Sequence, residues 1–243
     1  LLSLLAACTD DETITRNPQL LFHTNRQEIN LGQSFIAETT GTDTFKLFNS
    51  SKEAIEIARI WLEKGAGSPF KVNLDGNALL YGEANDFFVM PNDSIIGFIF
   101  FQAPKTLEGD SALYEDKLHI QTSAGGTQTL ALSATALNVK RFGAHTFNSD
   151  TTLTAERPFQ IMDSLVVAQG TTLTLEAGTT LYFHKGAKLI VDGRLIANGT
   201  AEKRIEMRGD RLGNMLTQIP YDNLPSQWGG LVIKGNSYKN QLT

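Results

Sequence analysis

Cysteine is almost missing: the 243 residues include one, Cys8. A single thiol excludes an internal disulfide and any zinc cluster built on cysteines. Proline is sparse at 7 residues, and Asp, Glu, Lys and Arg make up only 19 %, below the roughly 25 % of an average soluble domain. A disordered chain would be charge-rich and poor in Val, Ile and aromatics, so that class is excluded. Positive charge is in deficit, with 21 basic against 26 acidic residues and a net charge of −5. Binding a phosphate backbone needs clustered Lys and Arg, so no nucleic-acid partner is expected. The stretch from Phe87 to Phe101 is apolar enough to suggest a membrane span, but it is short and holds Asn92 and Asp93. It reads as strand, turn and strand. Also missing are the G-x-S-x-G, H-E-x-x-H, Walker A, dinucleotide-binding and EF-hand patterns. The Gly65-Ala66-Gly67 pair lacks a third glycine and reads as a loop. No metal or cofactor is expected, and the chain as given is not expected to be an enzyme.

What is present is threonine, 25 residues, and glycine, 21. With the aromatics they point to strands and tight turns rather than a helical bundle, which would be rich in Ala, Glu, Lys and Leu. The length suits one or two domains. The expected fold is all-β. Both ends look cut: there is no initiator Met, and the chain opens on a short apolar run, Leu1 to Cys8, that resembles the end of a secretory signal. Residues 9–19 are polar, contain a proline and read as a tether.

From 20 to 140 short apolar runs alternate with turn residues. Phe35-Ile36-Ala37, Phe45 to Phe48, Phe87 to Met90 and Ile95 to Phe101 are strand candidates. Leu118 to Thr122 and Thr127 to Leu132 flank Ser123-Ala124-Gly125-Gly126 and read as a hairpin. Ser51 to Lys64 is ambiguous. Ala54, Ile57, Ile60 and Trp61 have helical spacing, whereas Ile55 with Ile57 and Ile60 with Leu62 alternate. A strand is favoured by its Ile and Trp content and its neighbours. The segment Phe45-Lys46-Leu47-Phe48-Asn49-Ser50, the Ile-rich strand after it, Ser68-Pro69-Phe70 and the closing Leu118 to Ala136 hairpin resemble Hydin-type immunoglobulin-like domains. The resemblance implies a β-sandwich that serves as a spacer or binding module. Ser51-Lys52 departs from it, standing where a glycine is typical.

From 141 to 243 the texture changes. Gly170, Gly178 and Gly186 recur at even spacing, followed by Gly193 and Gly199. Between and beyond them lie short runs such as Thr171 to Leu175, Thr179 to Phe183, Ala187 to Val191, Arg194 to Ala197, Arg204 to Met207 and Gly229 to Ile233. Each is too short for a helix, and a glycine turns cheaply through positive φ. Strand–turn units that cannot bury a core alone stack into a solenoid. A meander of hairpins in a barrel or sandwich is the alternative. The corner Glu176-Ala177-Gly178-Thr179, with Val191-Asp192-Gly193-Arg194-Leu195, Ala197-Asn198-Gly199-Thr200 and Gln227-Trp228-Gly229-Gly230, resembles the first coils of right-handed parallel β-helix proteins of the pectate-lyase-like superfamily. The runs amount to little more than two coils, and such stacks generally need three or more repeats. The natural protein is therefore expected to continue past Thr243.

Leu5-Ala6-Ala7-Cys8 resembles the lipobox of bacterial lipoproteins. That resemblance implies a diacylglyceryl thioether on Cys8, cleavage before it, and acylation of its new amino terminus. The partner would be outer-membrane lipid, held firmly because two or more chains are needed for stable anchoring. The acidic Thr9-Asp10-Asp11-Glu12 resembles the surface-export signal of Bacteroidetes-type lipoproteins. Four triplets of Asp, Ser or Thr, and a small or apolar residue resemble the O-glycosylation motif of the same group, at Ser94, Ser111, Thr151 and Ser164. Chance predicts about one. The same dipeptides also open turns.

Related β-helix enzymes cleave acidic polysaccharides with Asp-bound calcium and an Arg base. Asp163, Asp192, Arg194, Arg208 and Asp210 are the raw material for this, without a recognisable motif or enough acids for a calcium cage. His23, His119, His145 and His184 are scattered, and Arg208-Gly209-Asp210 reads as a glycine turn. Tyr182, Trp228 and Tyr238 are candidates for stacking on sugars or for packing. The expected function is a lipid-anchored, surface-exposed protein of the outer membrane. It would display a β-helix for binding or scaffolding, toward polysaccharide or a host surface. The alternative is a polysaccharide lyase or hydrolase whose active site lies on further coils.

Overall fold

The computed structural model describes residues 13–17, 22–216, 219–235 and 237–243. Cys8 and the rest of its lipobox lie outside the described residues. Among the described residues there is no α-helix, and none is long and apolar enough to cross a membrane. The chain is all-β and divides into two compact units. The first holds the described residues up to 31, with 39–102 and 113–134; the second holds 32–38, 103–112 and 135–243.

The first unit makes most of an immunoglobulin-like sandwich; residues 32–35, 111–112 and 135–137, at the ends of three of its strands, belong to the second unit. One sheet runs β1 (Phe22–Thr24), β3 (Asp43–Asn49), β9 (Asp93–Phe101), β5 (Phe70–Leu74), β6 (Asn77–Ala78). The other runs β2 (Glu28–Phe35), β11 (Thr127–Leu137), β10 (Ser111–Thr122), β4 (Ile55–Leu62), β7 (Glu83–Ala84), with β8 (Phe87–Val89) also on β4. Alternate residues point inward: Phe45 and Leu47, Ile99 and Phe101, and Ile60 and Leu62 are all buried. Each fully buried side chain of this size contributes about 1.5–3 kcal/mol. Gly97 faces Phe45 across the β3–β9 pair, and a Cβ there would overlap the Phe45 ring.

The segment from Ser51 to Lys64 holds the strand β4, and its helical spacing has a cause. Gln121 pairs with Arg59, but the next residue, Thr122, pairs with Ile57. Ala58 is thus an extra residue in a β-bulge, which shifts the inward set from Ile55 and Ile57 to Ile60 and Leu62. The Phe87 to Phe101 run is strand, turn and strand, but β8 and β9 belong to opposite sheets. Asn92, at φ 55°, helps turn the chain between them.

The second unit is a parallel β-helix. Its three four-stranded sheets each take one strand per coil. The first is β12 (Lys140–Phe142), β15 (Phe159–Ile161), β18 (Thr180–Phe183) and β21 (Glu206–Gly209). The second is β13 (His145–Phe147), β16 (Leu165–Val167), β19 (Leu189–Val191) and β24 (Leu231–Ile233). The third is β14 (Thr151–Leu153), β17 (Thr172–Leu175), β20 (Arg194–Ala197) and β25 (Gln241–Leu242). There are thus four coils, not little more than two. In-register pairing stacks like on like: inside lie Leu165, Leu189 and the half-buried Leu231, Val167 and Val191, and Leu173 and Leu195, while Ile233 continues the Val191 column but is exposed. Between β21 and β24 the chain makes an insertion, residues 210–230, that carries a small hairpin of β22 (Asn214–Leu216) and β23 (Ile219–Pro220).

The corners explain the glycine and threonine excess. Gly170, Gly178 and Gly186 are left-handed, at φ 80°, 95° and 86°. Gly193 is not. It is glycine because a Cβ would overlap the carbonyl oxygens of Ala168 and Thr171 on the preceding coil. The first threonine of each Gly-Thr-Thr segment is buried and ties one coil to another. Thr171 Oγ1 donates to the Phe147 carbonyl at 3.1 Å, and Thr179 Oγ1 to that of Leu153 at 3.1 Å. A buried hydroxyl without such a partner is costly.

Candidate functional site

On the outer side of the first β-helix sheet, register aligns Arg141, Gln160, Tyr182 and Arg208, one per coil. Their strand neighbours Phe159, Ile161, Leu181 and Phe183 fill the interior. Gln160 is fully buried all the same. Its amide oxygen accepts from Arg141 Nε at 2.8 Å. Its amide nitrogen donates to Glu38 Oε1 at 2.8 Å and to Asp210 Oδ2 at 3.3 Å. Asp210 Oδ2 also lies 2.9 Å from His184 Nδ1, and Arg141 reaches Glu38 at 3.4 Å. This end of the column is a closed network of mutually satisfied groups.

Tyr182 is covered. Phe35 meets its ring edge-on with centroids 5.0 Å apart, and the Arg208 guanidinium lies over it at 5.5 Å. Burial raises the Tyr182 phenol above its ordinary pKa; Arg208 pulls it down, and Glu206 and Asp222 add to the rise. Trp228 is also committed, stacked on Phe183 at 4.4 Å and packed against the core. Of the three aromatic candidates only Tyr238 is well exposed.

Beside Arg208 the insertion folds back and forms a cleft of about 270 Å³. Its floor is Met207, Arg208 and Gly209 on β21, and its roof runs from Asp222 and Leu224 to Trp228. Asp222 forms an ion pair with Arg208, and both side chains stay about one-third exposed, at 38 % and 31 %. Among the described residues, Arg208 Nε is buried without a partner. Gly209 lets the roof close down, since a Cβ there would meet Gln227 Cβ at 2.6 Å. Ser226 turns the roof through φ 62°. A pocket of about 250 Å³ in the sandwich, walled by Thr15, Phe22, Ile55 and the turn after β10, has Glu56 as its one ionisable lining residue among the described residues.

The carboxylates and arginines singled out in the sequence are not brought together. Asp163 Oδ1 accepts from the Ser164 amide at 2.6 Å, Asp192 pairs with Lys234 at 3.2 Å, and Arg194 donates to the Lys239 carbonyl at 2.9 Å. Arg208 and Asp210 are held by Asp222 and by the Gln160–His184 network. The Arg-Gly-Asp tripeptide therefore lies on β21 and at its end, not on a projecting loop. His23 stacks on Phe48, His119 on Trp61, and His145 packs edge-on against Phe147. Among the described residues no group of three or more His, Cys, Asp or Glu has the arrangement to hold a metal ion.

The four Asp-Ser/Thr triplets sit at turns and strand starts. Asp93 Oδ1 accepts from the Ser94 amide at 2.7 Å, the same geometry as at Asp163–Ser164. It recurs outside the motif, where Asp43 Oδ1 accepts from the Thr44 amide at 2.7 Å, so turn chemistry accounts for Asp93 and Asp163; Asp150 Oδ1 instead accepts from the Thr172 amide at 2.7 Å. Thr151 Oγ1 donates to the Ser149 carbonyl at 3.0 Å, and Ser164 Oγ accepts from the Lys188 amide at 3.3 Å. Ser111 is exposed and Ser94 half-buried.

Residues 145–243 match the family model of a pectate-lyase-like beta helix domain. No curated protein matches the chain. Similar solved structures include an ASH/PapD-like domain of human CEP192, at 13 % identity and TM-score 0.35, covering 57 % of this chain and 96 % of that one. The CupB6 tip adhesin from Pseudomonas aeruginosa is similar at 11 % identity and TM-score 0.34, over 46 % of this chain and 40 % of that one. A family 123 glycoside hydrolase from Clostridium perfringens is similar at 9 % identity and TM-score 0.34, over 50 % and 26 %.

Proposed function

We propose that the chain belongs to a lipid-anchored protein of the outer membrane, of the Bacteroidetes type, that displays its β-helix at the cell surface for binding or scaffolding. Carbohydrate is the favoured ligand class. One observation carries the choice of display over chemistry. The acids and arginines of the coils are bonded to their own neighbours on separate sheets, while the cleft at Arg208 and Asp222 keeps polar groups partly open to solvent. A catalytic site needs acid and base groups converging on one reacting atom; a binding site needs only fixed donors, acceptors and an apolar wall.

Support for the anchor is the sequence Leu5-Ala6-Ala7-Cys8 followed by Asp10, Asp11 and Glu12. The reading includes O-glycosylation, with Ser94 and Ser111 ahead of Thr151 and Ser164, whose hydroxyls are already engaged. Labelled palmitate fed to cells should enter the protein and be lost in Cys8→Ala, and protease added to intact cells should remove the protein. Palmitate incorporation that persists without Cys8 would refute the anchor. Mass spectrometry of the native protein should find a glycan at Ser94 or Ser111; an unmodified peptide at all four positions refutes that part. Glycan-array binding by the ectodomain supports the binding reading. Release of reducing ends or unsaturated products from the same polysaccharides would instead favour the enzyme.

A further inference from the structure

We propose that the cleft under residues 222–228 binds one neutral pyranose ring through two adjacent hydroxyls; this rests on the carbohydrate reading above and names its site. The argument starts from the ion pair. Arg208 offers only donors and Asp222 only acceptors. A sugar hydroxyl both donates and accepts, so two neighbouring hydroxyls match a guanidinium and a carboxylate held side by side. Such charge-assisted hydrogen bonds are the stronger ones. The pair is also its own counter-charge. An anionic sugar would have to draw Arg208 away from Asp222, which leaves a carboxylate unpaired, so the neutral ring is preferred.

The rest of the cleft fits the same ligand. Leu224, Pro225 and Trp228 give an apolar wall for the C–H face of a ring. The volume of about 270 Å³ is just under the roughly 300 Å³ at which ordinary small-molecule pockets begin, which suits a single ring. The donors and acceptors are set before the ligand arrives. Arg208 is fixed between Asp222 and the Tyr182 ring, and Trp228 is fixed by its stack on Phe183. Preorganisation of this kind removes ordering cost on binding. A ligand with one ring and few contacts is expected to bind with Kd on the order of 1 mM.

The test uses the full 243-residue chain and four probes: methyl glucoside, methyl mannoside, methyl galactoside and galacturonate. The protein has two tryptophans, so Trp61→Phe leaves Trp228 as the sole reporter at the cleft. A saturable change in its fluorescence, with saturation-transfer NMR signals from the ring protons, is expected for at least one neutral glycoside up to about 50 mM. Asp222→Asn should weaken it at least tenfold. Leu224→Trp, which fills the cleft and leaves the ion pair alone, should abolish binding, read here by saturation-transfer NMR alone because the new tryptophan adds its own fluorescence; thermal melts show that each variant is folded. Three results overturn the proposal: no saturable binding of any neutral glycoside, unchanged binding in Leu224→Trp, or galacturonate binding more tightly than every neutral probe. If the protein binds arrayed glycans and Leu224→Trp binds them equally, the cleft is refuted and the carbohydrate reading stands. If it binds neither arrayed glycans nor the probes, both fall.

Discussion

Leu189→Ala tests the register of the β-helix and its energetics together. Leu189 is fully buried, between Leu165 on the preceding coil and Leu231 on the following one. The substitution removes three carbons, about 2.4 kcal/mol of transfer free energy at roughly 0.8 kcal/mol per methylene. The void adds a further cost, and Leu-to-Ala changes in cores span about 2–5 kcal/mol. Leu231 is only half-buried, so the cavity can partly collapse on that side. The expected loss is about 3 kcal/mol. Ile190, the next residue, points outward and pairs with Val166 and Val232 on the outer face; Ile190→Ala should cost about 1 kcal/mol or less. Urea unfolding followed by Trp228 fluorescence in a Trp61→Phe background reads both. At a denaturant slope of about 1–3 kcal/mol per molar, Leu189→Ala should lower the midpoint by about 1–3 M. A one-residue slip exchanges the faces of a strand. An Ile190→Ala loss equal to or larger than that of Leu189→Ala would therefore refute the register and the core assignment.

Three further sets of substitutions test other parts. Asn49 is buried; its amide nitrogen donates to the carbonyls of Glu53, Val89 and Met90 at 2.8, 2.9 and 3.1 Å, and its oxygen accepts from Ser51. Asn49→Asp puts an acceptor against three acceptors and should destabilise by at least about 2 kcal/mol, with Asn49→Ala nearer to wild type; urea melts followed by Trp61 fluorescence that show no loss would refute the hub. Gly193→Ala should cost more than Gly186→Ala, because the first meets backbone oxygens while the second meets open space and costs only the left-handed penalty of about 1–2 kcal/mol; equal melting temperatures would contradict this. The raised pKa of Tyr182 favours its neutral form in the folded state. The stability it confers is therefore complete below the unfolded tyrosine value of about 10 and is lost as pH rises through the higher folded value. Tyr182→Phe should remove that part of the alkaline loss, and absorbance titration should show one of the five tyrosines ionising late. Unchanged titration curves in the variant would rule it out.

Where a segment repeats a simple period, its sequence was readable. Gly170, Gly178 and Gly186 mark real left-handed corners, and the runs that follow them are the strands β17, β18 and β19. The first coil hid because its strands are three residues long and its corners are made by other means. Asp150 is one such corner: its Oδ1 accepts from the Thr172 amide at 2.7 Å, bridging two coils through a side chain. Asn240 does the same for Leu195 at 2.7 Å. No glycine spacing announces a side-chain bridge. The fourth coil was read only in part, through the runs Arg204 to Met207 and Gly229 to Ile233, since residues 210–230 interrupt it between β21 and β24 and the two-residue β25 closes it. In the sandwich, the bulge at Ala58 broke the alternation of β4 and gave it the look of a helix.

The site was less legible than the fold, and the reason is physical. Asp192, Arg194, Arg208 and Asp210 attract attention as a cluster because they are near in sequence. In a β-helix, nearness in sequence means adjacent faces of one coil, which point away from each other. Residues meet when they are one coil apart, as Gln160 meets Arg141, or when an insertion returns, as Asp222 returns to Arg208. Arg208 therefore belongs with Tyr182, Asp222 and Trp228, none of which shares a motif with it. Register alone puts Tyr182 beside Arg208, and the folded-back insertion adds Asp222 and Trp228 to the grouping. It also explains why the acids and arginines gave no catalytic pattern: each was being read with the wrong neighbours, and each had already found an opposite charge or a backbone partner on its own side of the helix.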